Sequence, residues 1–250
     1  MKRWLLPTLL LTALIGAWQV AASTDALADL LGLAPFLVPS PAEIAEALWE
    51  SRSLLAENAW VTLQEMLLGL ACALVAGVGF AVAMRLSEAL RLAFYPLLVA
   101  SQAVPILVIA PILVVWLGFG IWPKAAIVAL VCFFPIAVSV LAGLRSVDPE
   151  ATKMMRTLDA SRRQILWRVE APTAVPHFFT GLRLAVAIAP IAAVFGEWVG
   201  ADSGLGHQIL QDNAQLATAR LFAAAIVLAA LAIALVGLTA LAERRVVTWR

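Results

Sequence analysis

The chain has 250 residues, of which 63% are hydrophobic and 13% charged, with a mean hydropathy of +0.97. Soluble domains are about 45–50% apolar and about 25% charged, so this composition excludes a soluble globular protein and describes an integral membrane one. The net charge of +1 is too small to point to nucleic acid, and only the placement of the basic residues is informative.

A spanning helix needs about 20 apolar residues, because lipid offers no partner to backbone polar groups. Six segments reach that length, at 4–22, 59–84, 94–117, 125–144, 180–199 and 221–242, and predict an all-α polytopic protein with six transmembrane helices. The first run follows Lys2-Arg3 and precedes Ala21-Ala22-Ser23, flanks that also suit a cleavable signal peptide. Its length favours a retained helix; cleavage would leave five helices and the same inside face. Residues 1–58 then hold the first helix and an outer loop, and 59–250 the main membrane domain.

The loop from Ser23 to Asn58 carries Asp25, Asp29, Glu43, Glu46, Glu50 and Glu57 against Arg52 alone. Ser40 or Pro41 opens a short amphipathic helix with Ile44, Ala47 and Leu48 on one face, suited to lying on the outer leaflet or to receiving solute. Pro96, Pro105 and Pro111 in the third span and Pro135 in the fourth each remove a helix hydrogen bond. Kinked helices of this kind line paths where neighbours or water satisfy the freed carbonyls, or are irregularly packed without transport. Cys72 and Cys132 fall within spans and read as small core residues, not as a disulfide or metal pair.

With both termini inside, the inner face holds Lys2, Arg3, Arg85, Arg91, Arg145, Lys153, Arg156, Arg162, Arg163, Arg168, Arg183, Arg244, Arg245 and Arg250. Only Arg52, Lys124 and Arg220 of the 17 basic residues remain outside. The excess of positive charge inside fixes this orientation.

Between the fourth and fifth spans, Val147 to His177 forms a polar island that reads as two short helices. Asp148 caps the first, with Pro149 at its first position and Glu150 facing the positive end of the dipole. Ala151, Met154, Met155 and Leu158 share a face. Ser161 and Gln164 have capping-box spacing for the second helix, which places Ile165, Leu166 and Val169 on one side and is expected to stop before Pro172. Its other side shows Arg163, Gln164, Trp167 and Arg168, a surface suited to a protein partner.

No G-x-x-x-x-G-K-[ST] occurs, so ATP would have to act on a partner. His177 and His207 lie on opposite sides of the membrane in no metal-ligand spacing and read as loop or interface residues. No nucleophile elbow or paired intramembrane carboxylates suggest hydrolysis, so the chain is not read as an enzyme. Glu65 in the second span and Glu197 near the outer end of the fifth face protein or water; alternatively they are helix-end carboxylates solvated at the headgroups, a reading that favours Glu65 more than Glu197, with Trp198 as interface anchor. Glu197-Trp198 followed by Gly204-Leu205-Gly206 has the composition of an outer gate.

The run S-Q-A-V-P-I-L-V-I-A-P-I-L-V-V-W-L-G-F-G from Ser101 and F-F-P-I-A-V-S-V-L-A-G-L-R from Phe133 resemble the membrane subunit of ATP-binding cassette importers, in the nitrate, sulfonate, taurine and pyrimidine-precursor branch. T-L-D-A-S-R-R-Q-I-L-W-R-V-E-A-P-T-A-V-P from Thr157, G-L-R at Gly181 and G-E-W-V-G-A-D-S-G-L-G from Gly196 are similar to the same family. Its docking pattern is E-A-A, three residues, Gly, nine residues, Ile, one residue, Leu-Pro. Aligned on Pro172, this chain has Lys153-Met154-Met155 for E-A-A, Asp159 for Gly, Val169 for Ile and Ala171 for Leu. Asp is among the few residues that enter the left-handed region at modest cost, so it can stand where the pattern has Gly.

The resemblance implies the type I importer fold, with 147–177 as the coupling loop. It implies the bacterial inner membrane, a cytosolic dimer of ATP-binding subunits carrying ATP and Mg, an extracytoplasmic solute-binding protein and a second copy of this chain, with no cofactor of its own. ATPase docking falls to Asp159, Ala160, Ser161, Arg162, Arg163, Trp167 and Pro172. The translocation path or gate falls to Gln102, Pro105, Pro111, Glu197, Trp198, Gly204 and Gly206. The third-span wording is most similar to importers of thiamine precursors such as hydroxymethylpyrimidine, for which Trp116, Trp122, Phe133, Phe134 and Trp198 offer stacking surfaces. A sulfonate, taurine or nitrate path would want an unpaired Arg, and Arg183 is the one candidate. A stand-alone secondary transporter would want intramembrane ionisable pairs or an inverted repeat, neither of which is visible in the sequence.

Overall fold

The computed structural model describes residues 2–24 and 26–248, with the side chains of residues 2–5 and 7 left out. The Lys2 and Arg3 side chains, Asp25 and Arg250, all part of the expected charge pattern, lie outside the described residues. Among those residues the chain is helical and contains no strand.

Fold order is α1 (Lys2–Ser23), α2 (Ala26–Leu31), a 3-10 turn (Pro35–Leu37), α3 (Pro41–Glu50), α4 (Arg52–Leu86), α5 (Glu88–Ser101), α6 (Ile106–Leu117) and α7 (Ile121–Arg145). After these come α8 (Pro149–Thr157), α9 (Arg162–Ile165), a π segment (Leu166–Glu170), α10 (Ala171–Gly200), α11 (Leu205–Ala214) and α12 (Thr218–Val246). Two compact units result, one formed by residues up to Val61 with Ser203–Ala229, the other by Thr62–Asp202 with the chain from Ala230 onward.

Among the described residues four helices are long and apolar enough to cross a membrane: Arg52–Leu86, Ile121–Arg145, the run Arg162–Gly200 and Thr218–Val246. In α1 the apolar stretch is Thr8–Ser23. The expected third span, read as one kinked helix, is instead two helices bent by 104°. Gln102, Ala103 and Val104 donate to carbonyls three residues back, and Pro105, which has no N–H, then adopts an extended ψ of 127° as the N-cap of α6. The ladder cannot continue through such a sequence.

In the first unit Ser40 and Glu43 close a capping box with Pro41 at the first position of α3. Ile44 is buried and Ala47 and Leu48 half-buried, as the periodicity predicts. Ala42 N–H donates to Gln19 Oε1 at 2.9 Å, tying α3 to α1.

The core of the second unit is the contact of α10 with α7, with α6 against both. Small residues permit the approach: a Cβ at Gly143 would sit 2.7 Å from the His177 Cβ and 2.9 Å from the Ala174 Cα. A Cβ at Gly181 would likewise sit 2.7 Å from the backbone oxygen of Pro135. Small residues at helix contacts are how membrane helices gain dispersion energy when lipid removes the hydrophobic drive. Cys132 is buried and donates to the Ala185 carbonyl at 3.3 Å. Cys72 corrects the core reading: it is exposed and lines an apolar cavity that α4 shares with α6 and α7.

Candidate functional site: elbow, path and buried charges

The elbow follows its local signals at both caps. Glu150 N–H donates to Asp148 Oδ1 at 2.9 Å, and Ser161 and Gln164 form the expected reciprocal box. Between the helices Asp159 has φ +55°, and Ala160 N–H reaches back five residues to the Met155 carbonyl at 3.0 Å. This is a Schellman close with Asp where a glycine is usual. Ser161, Arg162, Arg163, Gln164, Trp167 and Arg168 are exposed and Ala160 half-buried, while Ile165 and Leu166 are buried. Met154, Leu158 and Trp167 are 66%, 68% and 68% exposed, so apolar and basic groups lie bare on one short stretch. A soluble surface seldom tolerates that unless something covers it.

One expectation fails here. The second helix does not stop before Pro172 but continues through the π segment into α10, so Pro172, exposed, lies in the first turn of a helix that runs to Gly200. A proline ring clashes with the carbonyl four residues back in an α-helix. The wider π turn, in which Ala171 N–H bonds the Leu166 carbonyl, shifts that carbonyl away. His177, expected in a loop or at an interface, is within α10 at its contact with α7, where a Cβ on Gly143 would lie 2.7 Å from its Cβ; its Nδ1 is buried without a hydrogen-bond partner. Glu170, ending the π segment, is 4% exposed, and both its oxygens accept from Arg85 in the last turn of α4, the Nε–Oε2 contact at 2.9 Å.

The sequence also missed a buried charged group. Thr62 and Glu65 of α4, Lys124 of α7 and Glu197 of α10 are each at most 5% exposed. Thr62 Oγ1 donates to Glu197 Oε1 at 2.7 Å, the Lys124 ammonium is 3.8 Å from Glu65 Oε1, and the Glu65 and Glu197 carboxyl groups interact. Glu65 Oε2 is buried with no hydrogen-bond partner. Three corrections follow: Lys124 is not a loop charge, neither Glu65 nor Glu197 is solvated at the headgroups, and paired intramembrane carboxylates and an ionisable pair are present. These residues come from three helices far apart in sequence, so no spacing announces them. Arg183 is likewise not unpaired, because it is bound by Glu243 of α12.

The path residues fall into separate places. Gln102 and Pro105 line a cavity of about 370 Å³ at the α5–α6 bend, together with Ile109, Leu130 and Val131. Leu130 also lines an apolar cavity of about 540 Å³ with Trp122, Phe133, Leu113 and Leu117. Pro111 is inside α6 and exposed. Trp116 is 76% exposed, and Phe134 is half-buried outside both cavities. Trp198 is exposed, its ring 5.5 Å from Phe195.

In the other unit, Gly204 has φ +116° and caps α11, with its N–H donated to Asn58 Oδ1 at 2.7 Å. Leu205 and Gly206 are buried. Asn58 also meets Gln208, which donates to Asp212 at 2.8 Å, and Asp212 pairs with Arg220.

Residues 73–248 match the family described as binding-protein-dependent transport system inner membrane component. The chain belongs to this family. It is 39% identical over 202 residues to the formylaminopyrimidine transport permease protein ThiX of Halalkalibacterium halodurans, covering 80% of this chain and 78% of that one. It is 34% identical over 246 residues to the riboflavin transport system permease protein RibX of Chloroflexus aurantiacus, covering 98% and 89%. With the taurine transport system permease protein TauC of Escherichia coli it shares 31% identity over 247 residues, covering 96% and 87%. A solved structure of an amino acid ABC transporter superposes with a TM-score of 0.63 at 20% identity, over 79% of this chain and 96% of that chain. The protein is thus a multi-pass inner membrane permease component with the type I importer fold.

Proposed function

We propose that this chain lines the solute path of an importer whose ATP hydrolysis resides on a separate cytosolic ATPase dimer, which docks on the elbow at Asp159, Ala160, Ser161, Arg162, Arg163, Trp167 and Pro172. The observation that carries the reading is the elbow itself, doubly capped, rooted in α10 and bare at Trp167 and Arg163. The ATPase subunits would hold ATP and Mg, and this chain performs no hydrolysis. A second copy of the chain completes the path, residues 59–250 form the importer domain, both termini are cytoplasmic, and an extracytoplasmic binding protein delivers solute. Gln102, Pro105 and Pro111 border the path, with Glu197, Trp198, Gly204 and Gly206 toward its outer gate.

The solute is a small flat heterocycle of the pyrimidine-precursor type. Its support is the relative named for formylaminopyrimidine, the aromatic pair Trp122 and Phe133 on the larger cavity, and the neutralisation of Arg183 by Glu243, which removes the one guanidinium an anionic solute would have used. Taurine or sulfonate is the second reading, carried by the relative named for taurine. Uptake into proteoliposomes holding the full complex tests both. Formylaminopyrimidine should enter in an ATP-dependent way and taurine should not compete; taurine uptake alone would overturn the assignment. Orientation is tested by single cysteines at Ser53, Asp202 and Ser161 in a chain lacking Cys72 and Cys132. Only the first two should react with an impermeant thiol reagent from outside, and labelling at Ser161 would reverse the topology.

A further inference from the structure

Joining the elbow to α10 through a π segment leaves Glu170 in an unusual position. It is the last residue before the long path helix, it is buried, and it is held from both oxygens by a guanidinium on a different spanning helix. Just beyond Arg85, the Leu86 carbonyl accepts from Arg162 of the elbow at 3.3 Å, so the end of α4 grips the elbow at two points. A cavity of about 120 Å³ adjoins the pair, and Arg156 and Arg162 line it together with Arg85 and Glu170. Glu170 therefore has two further guanidiniums across an open space into which the elbow can move.

These features suit a pivot. A π turn holds one more residue than an α turn, so its conversion to α slightly lengthens the segment and turns everything on its N-terminal side by about 100° relative to α10. Mid-helix π segments also mark functional positions more often than chance. A bidentate carboxylate–guanidinium contact has a fixed plane and can act as a fulcrum, and a second set of arginines on one cavity gives the carboxylate two discrete arrangements.

We propose that Glu170 and Arg85 are positioning residues that convert displacement of the elbow into rotation of α10, with Arg156 and Arg162 receiving the Glu170 carboxylate in the displaced state. This rests on the reading of the elbow as the ATPase dock, and deepens it.

The test uses the full complex in proteoliposomes and follows ATPase co-purification, ATP turnover, uptake and the melting temperature. In Glu170→Gln the ATPase stays bound and the melting temperature holds, but uptake per ATP falls by roughly 5- to 100-fold. Arg85→Gln shows a smaller loss, because Arg156 and Arg162 still face Glu170. The exchanged pair Arg85→Glu with Glu170→Arg restores the resting ion pair and the melting temperature but sets an arginine against Arg156 and Arg162, so uptake per ATP stays low. Unchanged uptake per ATP in Glu170→Gln, or full recovery of it in the exchanged pair, overturns the pivot. So does a loss that merely tracks a lowered melting temperature. If instead Arg163→Glu with Trp167→Ala leaves ATPase binding intact, the docking reading fails, which is a separate result from failure of the pivot.

Discussion

In the elbow every charged side chain except Glu170 is exposed, whereas Glu65, Lys124 and Glu197 in the same compact unit are each at most 5% exposed. The first region presents charge to a partner; the second buries charge among helices and leaves one carboxyl oxygen unmatched. Exposed charges contribute little to stability, and buried ones punish the loss of a single partner severely. Stability and coupling should therefore separate cleanly between the two regions.

The sharpest way to break this contrast is Lys124→Met, which removes the cation facing the buried Glu65 carboxyl group. It is expected to lower stability in detergent by about 3–5 kcal/mol, and the added change Glu65→Gln should recover much of that, as read from thermal melts of the three forms. Melts indistinguishable from the parent would show that water reaches the group. Gly143→Ala comes next, at about 1–3 kcal/mol, since its Cβ would lie 2.7 Å from the His177 Cβ and 2.9 Å from the Ala174 backbone. An unchanged melt would mean that α7 and α10 separate easily. Ser161→Ala removes one cap donor pairing and should cost about 1 kcal/mol locally, seen as faster amide exchange at Gln164 without a change at α10. Smallest is Asp159→Gly, which relieves a left-handed residue and should leave stability equal or up to about 1 kcal/mol higher, as read from thermal melts.

The same contrast explains what could be read from the residues alone. Both elbow caps rest on contacts two or three residues apart, so Asp148, Ser161 and Gln164 announced them, and the Asp159 turn followed from its side chain. Most of the spans follow from apolar length. Pro172 misled because the rule that proline ends a helix assumes α geometry, and a π turn escapes it. The third span misled in the opposite sense: three prolines suggested kinks, but the turn from Gln102 to Pro105 ends the hydrogen-bond ladder altogether. Lys124 read as an outer-loop charge because its partners lie on α4 and α10, and only tertiary packing brings them together. Glu170 carried no signal beyond being one acid among several.

Docking of the ATPase on the bare face of the elbow is the central claim, and Arg163→Glu combined with Trp167→Ala tests it most directly. Both residues are exposed and neither holds another helix in place, so the melting temperature should not move. ATPase co-purification and solute-stimulated ATP turnover in proteoliposomes should be lost together. An ATPase that still co-purifies in full and still responds to solute would contradict the account.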